Sequence, residues 1–168
     1  MIGNIPPIIE EWAKLCAGSM KDPKANDLWY TPECVLKPVR EFLGEDYFDP
    51  CPIDPTFDGI APEAVWQSNC FINPPYSRDL KRAFIKKGLQ QVKTDSRFLW
   101  LVNYACSEDL LMLKENATAI LLPDKRISFI PGHPELKAGS PRYDNIFILW
   151  GDPTGFEEAF SEVGLVFK

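Results

Sequence analysis

Asparagine, two prolines and a tyrosine follow a short apolar run in F-I-N-P-P-Y-S, residues 71–77. Asn73 offers a side-chain carbonyl acceptor and an amide donor. Two adjacent prolines remove two backbone donors and stiffen the chain. They leave the backbone carbonyls of residues 73 and 74 free of competing local structure. The Asn73 side-chain oxygen and the Pro74 carbonyl can therefore converge on one amino group. Tyr76 adds a flat ring for stacking. The set suits a planar ring carrying an exocyclic NH2. Two acceptors take both N–H bonds and draw the nitrogen lone pair out of conjugation, which makes a poor nucleophile reactive without a strong base. The bland reading of the same residues is a strand-to-helix turn whose tyrosine packs.

The elements on either side decide whether such a site can be held rigid. N-C-F-I-N at 69–73 reads as a short buried strand. Residues 78–93 read as a helix with Leu80, Phe84, Ile85, Leu89 and Val92 on its apolar face. N-P-P-Y then falls at the carboxyl end of a strand, where open α/β sheets bind their ligands. F-L-W-L-V at 98–102, A-T-A-I-L-L at 117–122, N-I-F-I-L-W at 145–150 and the final G-L-V-F-K read as further strands, and R-I-S-F-I at 126–130 as a short extension. D-Y-F-D at 46–49 is a very short strand that the prolines of D-P-C-P-I-D-P cannot continue.

Helices are expected at 8–17, from Pro32 to Leu43, from a Ser107 cap to about Glu115, and at 155–162, with one helical turn near Pro62 to Trp66. Thr31 is the expected cap of the second and Gly44 its stop. Continuous apolar runs separated by helices predict strands covered on both faces, a three-layer α/β arrangement. No linker or repeat divides the chain. Residues 1–168 read as one domain, with 1–28 a peripheral N-terminal extension.

Composition excludes several classes. The 168 residues are 45% hydrophobic and 25% charged, as in ordinary globular protein. No stretch is long and apolar enough to cross a membrane, and M-I-G-N-I-P-P lacks the pattern of a secretory leader. Cysteines at 16, 34, 51, 70 and 106 form no CxxC pair, and there is one histidine, so no metal site is expected. Reduced thiols fit a cytoplasm.

The net charge of −6 alone argues against a nucleic-acid partner. It conceals a basic run, however: Arg78, Lys81, Arg82, Lys86, Lys87, Lys93 and Arg97 are opposed within it only by Asp79 and Asp95. That run is either a solvated helix face or a surface for phosphates. The long loop at 131–144 carries His133, Lys137, Arg142 and Tyr143, which suit base-edge or phosphate contacts.

Together, W-Y-T-P at 29–32, F-D-P-C-P at 48–52, N-P-P-Y-S at 73–77 and G-S-P-R-Y at 139–143 resemble the short phage-type, Dam-like DNA N6-adenine methyltransferase family, in order, spacing and length. The resemblance spans roughly residues 27–150. It implies a Rossmann-like methyltransferase fold, S-adenosylmethionine as cofactor, and double-stranded DNA with a flipped adenine as partner. It implies direct methyl transfer to adenine N6, with no cysteine nucleophile and no metal. By this resemblance Asn73 and the Pro74 carbonyl hold the adenine amino group and Tyr76 stacks on the base. Asp49 and Pro50 lie at the methionine part of the cofactor, flanked by Trp29, Thr31, Pro32 and Asn73. Phe71 and Pro75 shape the pocket. Arg78, Lys81, Arg82 and Arg142 reach the DNA. Localisation would be cytoplasmic, in a bacterium or a phage-infected host.

The chain departs from the usual pattern on the cofactor side. D-P-C-P-I-D-P-T-F-D-G stands where a glycine loop is expected, with Gly59 ten residues after Asp49. A trimmed sheet follows as an expectation, with Asp54 and Asp58 the candidates for the ribose. Methylation of cytosine N4, and a catalytically silent nucleic-acid-binding protein, are the alternative readings.

Overall fold

In the apolar run from Phe98 to Val102 every residue is buried. Successive strand side chains face opposite ways, so both faces of the sheet must be covered. Leu99 and Leu101 join one core cluster, while Phe98, Trp100 and Val102 join another. The neighbouring antiparallel strand divides the same way, Phe147 and Leu149 on one side, Ile146, Ile148 and Trp150 on the other. These two strands form the centre of the molecule. The computed structural model describes residues 29–53, 55–75, 78–105, 107–132 and 143–168; the helix expected at 8–17 lies outside them.

The described strands are β1 (Trp29–Tyr30), β2 (Asn69–Ile72), β3 (Arg97–Asn103), β4 (Ala119–Pro123), β5 (Ile130–Pro131), β6 (Asn145–Gly151) and β7 (Gly164–Phe167). The helices are α1 (Glu33–Leu43), α2 (Arg78–Gln91), α3 (Glu108–Glu115) and α4 (Phe156–Ala159). The main sheet runs in the order β2-β3-β6-β4-β7. β2 and β3 are parallel, and β6 runs antiparallel to both β3 and β4. Phe48 extends the sheet by one parallel bridge to Cys70. Its amide donates to the Asn69 carbonyl, and its carbonyl accepts from the Phe71 amide. The very short strand expected at 46–49 is therefore a single bridge, cut off by Pro50.

Helices cover both faces. Val35, Val39, Phe42 and Leu43 of α1 pack with Phe156 of α4 and with Phe160 on one side. Phe84 and Ile85 of α2 and Leu110 and Leu113 of α3 pack on the other. Trp100 and Trp150 meet there at 4.9 Å between centroids, and the Trp150 indole N–H donates to the Leu113 carbonyl at 2.8 Å. The chain thus has an α/β fold of mixed strands and helices.

Several local readings shift. Pro32 is the cap of α1 and Glu33 its first residue, one position later than expected, and the Thr31 hydroxyl accepts from Asn73 Nδ2. Gly44 ends α1 at φ 94°, a conformation glycine adopts without steric cost. Ser107 caps α3 as expected, accepting from the Leu110 amide at 3.2 Å. Residues 62–66 form no helical turn; a tighter turn closes when the Ala64 amide donates to the Ala61 carbonyl. Of R-I-S-F-I only its last residue is strand, and it pairs with Tyr30 in a separate two-stranded ladder.

Candidate active site

β2 ends at Ile72, and Asn73 and Pro74 follow at its carboxyl end. Parallel pairing of Phe48 with Cys70 brings Asp49 to the same edge of the sheet. The β1–β5 ladder delivers Thr31 to that edge as well. Asn73 Nδ2 donates to Thr31 Oγ1 at 3.2 Å, across 42 residues of sequence. This bond fixes the carboxamide and leaves its oxygen committed to nothing. Asn73 Oδ1 is buried and has no hydrogen-bond partner among the described residues. A buried acceptor without a donor costs about 1–3 kcal/mol. Such a group is open to a donor from a ligand or from water.

Asp49 supplies the second polar feature. Burial raises its carboxyl to about 6, against an ordinary 3.8, although hydrogen bonds from Cys51 pull the other way. The backbone part of that compensation is the Cys51 amide, which donates to Asp49 Oδ1 at 2.9 Å. A buried carboxylate in this state gains from any cation placed beside it. The Cys51 thiol lies between Asp49 and the backbone amide of Asn73, and burial, then the Asp49 charge, pushes it well above the ordinary range. Cys70 is pushed up to about 12 by burial and then by Asp49. Both thiols stay protonated and are poor nucleophiles.

The proline-rich segment after Asp49 folds back on it. A Cβ on Gly59 would lie 1.8 Å from the Pro50 carbonyl oxygen, so only glycine permits this approach. Trp66 donates its indole N–H to the Gly59 carbonyl at 2.8 Å, and Lys87 donates to the Ala61 and Pro62 carbonyls at 2.8 and 3.1 Å. Phe57 stacks on Phe48 at 5.5 Å. Asp58 therefore sits beside Pro50. Its Oδ1 accepts from the Ile60 amide at 3.0 Å, and its Oδ2 is buried without a partner among the described residues. Asp54 lies outside the described residues.

The basic run divides into separate tasks. Arg82 donates to Asp109 Oδ1 at 2.8 Å and to Glu108 Oε2 at 2.7 Å, and Lys81 Nζ lies 3.8 Å from Asp109 Oδ2. These contacts tie α2 to the acidic first turn of α3. Asp109 is 2% exposed, so the pairing is a packing feature. Arg97 binds Asp152 at 2.8 Å and the Phe42 carbonyl at 3.0 Å, and its guanidinium lies over the Phe42 ring. Asp152 is held down to about 2 by the Thr154 hydroxyl and then by Arg97. Lys87 is buried on the 61–62 carbonyls. Arg78, Lys86 and Lys93 remain exposed.

Thus Thr31, Asp49, Pro50, Asn73 and Pro74 gather around one carboxyl edge of the sheet, with Trp29 and Pro32 flanking Thr31 in sequence. Phe71 lies under that edge, its ring edge-on to Tyr47 at 6.0 Å. Tyr76 and Arg142 lie outside the described residues, as do His133 and Lys137. The Thr31–Asn73 contact was not legible beforehand. Its only signal was that both residues belong to motifs of the same resemblance.

The sheet thus presents, at its carboxyl edge, a carboxamide oxygen with no partner among the described residues and a largely buried carboxylate. The model of the DNA N-6-adenine-methyltransferase (Dam) family matches residues 18–163, and the chain belongs to that family. The protein is a site-specific DNA methyltransferase that modifies the N6 amino group of adenine. The match favours adenine N6 over the cytosine N4 alternative. S-adenosylmethionine dependence follows from the family. No curated protein and no solved structure shows a significant similarity to the chain. No group of three or more metal-ligating side chains occurs among the described residues.

Proposed function

We propose that the edge between Asp49 and Asn73 is where the methyl group changes hands, on a flipped adenine, in a trimmed Rossmann-like methyltransferase fold. The observation that carries this reading is the buried, unpaired Asn73 Oδ1, held in place from behind by Thr31. Asn73 Oδ1 and the Pro74 carbonyl accept the two amino hydrogens of the target adenine. This localises the N6 lone pair toward the incoming methyl group. Both acceptors are fixed before the base arrives, so little reorganisation is needed. A flipped base is required because N6 lies inside the duplex stack. Tyr76 stacks on it.

S-adenosylmethionine supplies a methyl group already activated on a cationic sulfonium. Ionised Asp49, buried beside Asn73, faces the positive charge of the methionine part. Asp58 Oδ2 takes the ribose hydroxyls, since a buried acceptor beside Pro50 needs donors and hydroxyls are donors. Trp29, Thr31 and Pro32 flank the cofactor. Arg78 reaches DNA phosphates, and Arg142 contributes from its loop. The pairing of Lys81 and Arg82 with Asp109 gives them a structural share in addition.

Equilibrium binding of S-adenosylmethionine tests the cofactor half. Asp58→Asn and Asp49→Asn are each expected to weaken binding about tenfold or more, the cost of a charged hydrogen bond, while the protein stays folded. Unchanged affinity in both variants overturns this placement of the cofactor.

A further inference from the structure

A second carboxamide at the same sheet edge also waits for a donor. Asn103 is the last residue of β3, and its Oδ1 is buried without a partner among the described residues. Ile72 pairs with Trp100 in the parallel β2–β3 register. Asn73 therefore lies level with Leu101, and Asn103 two residues beyond, about 7 Å along the strand and about 5 Å across. Both asparagines continue the face that carries Phe71, Leu99 and Leu101, the face covered by α1. β2 separates Asn103 from Asp49, since Phe48 and β3 flank it on opposite sides. Asn103 is thus on the flank away from the buried carboxylate, where the target base must lie if the cofactor meets Asp49.

We propose that Asn103 reads the N6/N7 edge of the target adenine and so sets adenine over cytosine. This rests on the reading that Asn73 receives the target amino group. Adenine's amino group has two hydrogens, one on the N1 side and one on the N7 side. Asn73 Oδ1 accepts the first. Asn103 Oδ1 shares the second with the Pro74 carbonyl, while Asn103 Nδ2 donates to N7. A carboxamide matches the N6/N7 pair in both distance and polarity, and a matched pair of this kind discriminates by about 1–3 kcal/mol. Cytosine keeps the amino group but has no N7, so the Asn103 Nδ2 donor meets no acceptor there.

The experiment uses the full chain and two DNA substrates several kilobases long. One is copied with ordinary nucleotides, and one with 7-deazaadenine, which keeps N6 but replaces N7 by C–H. The wild-type chain is expected to methylate the deaza copy at least about fivefold more slowly, the factor equivalent to about 1 kcal/mol. Asn103→Leu is expected to lower the rate on ordinary DNA and to erase the difference between the two copies. Asn103→Ala gives the same readout should leucine disturb folding. Equal wild-type rates on both copies, or a deaza penalty that persists in the variants, overturns the proposal. Asn73→Ala distinguishes the two levels. If it is inactive on both copies and the wild type is indifferent to N7, only the role of Asn103 fails. If it remains fully active, the reading of the whole site fails.

Discussion

Thr31 Oγ1 accepts a hydrogen bond from Asn73 Nδ2 at 3.2 Å, joining the W-Y-T-P segment to the N-P-P-Y turn. Because the nitrogen is held, the oxygen is aimed, and Asn73 Oδ1 is left without a partner among the described residues. On the proposed reading the threonine acts on the reaction through the asparagine. Removing it should harm chemistry more than stability.

Thr31→Val keeps shape and loses the acceptor. We expect kcat to fall about tenfold, the scale of one lost hydrogen bond at a positioned group, with S-adenosylmethionine affinity nearly intact. Thr31→Ser should recover most of the rate. Steady-state kinetics on unmodified DNA check both variants, and an unaffected kcat in Thr31→Val contradicts the positioning role.

Asp49 makes stability depend on pH in an unusual sense. Its folded carboxyl stands at about 6, above the ordinary 3.8. Between these values the folded chain keeps a proton that the unfolded chain has released. The stability this confers is complete below pH 3.8 and is lost as pH rises through about 6, a change of about 3 kcal/mol. Denaturant melts at pH 4 and pH 7.5 should show Asp49→Asn gaining about that much relative to wild type at the higher pH. A cation favours the ionised form, so wild-type affinity for S-adenosylmethionine should rise with pH through about 6. The asparagine variant should lack that rise; parallel pH profiles for the two proteins would count against Asp49 facing the cofactor's charge.

Gly59→Ala puts a methyl group into the Pro50 carbonyl oxygen, 1.8 Å from the ideal Cβ position. The backbone must move, at about 1–3 kcal/mol, as overpacking usually costs. The displaced element carries Asp49 on one side and Asp58 on the other. Thermal melting should fall, and cofactor affinity should fall with it. A variant as stable and as tight-binding as wild type would mean that the proline-rich segment is not the wall of the cofactor site.

The basic helix should divide by function. Arg82→Ala leaves buried Asp109, among the described residues, with Lys81 as its cation at 3.8 Å, so its main effect should be a lower melting temperature. Arg78→Ala should leave melting unchanged and flatten the salt dependence of DNA binding by about one phosphate contact. Melting curves and binding titrations at several salt concentrations separate them. A normal melting temperature for Arg82→Ala, with a flattened salt slope, would move Arg82 from packing to DNA contact.

These cases also mark what was legible in sequence. The run from Phe98 to Val102 announced a strand buried on both faces, because no residue in it tolerates water. N-P-P-Y suggested the proposed pair of acceptors because they are adjacent in the chain. Thr31 did not announce its partner: a threonine before a proline reads as a helix cap, and a bond across 42 residues leaves no local trace. Lys87 reads as one more surface cation, yet two loop carbonyls hold it buried. Arg82 likewise looked free until α3 brought Asp109 against it. The unpaired oxygen of Asn103 depends on the β2–β3 register, which no short-range pattern carries.

The central claim is that Asn73 presents the acceptor for the adenine amino group. Transfer of labelled methyl from S-adenosylmethionine to unmodified DNA, followed by nucleoside analysis, tests it most directly. Wild-type protein should give labelled N6-methyladenine, and folded Asn73→Ala should lose the signal by at least about a hundredfold, as loss of a transition-state acceptor does. Equal labelling by Asn73→Ala, or label appearing in cytosine alone, would contradict the account.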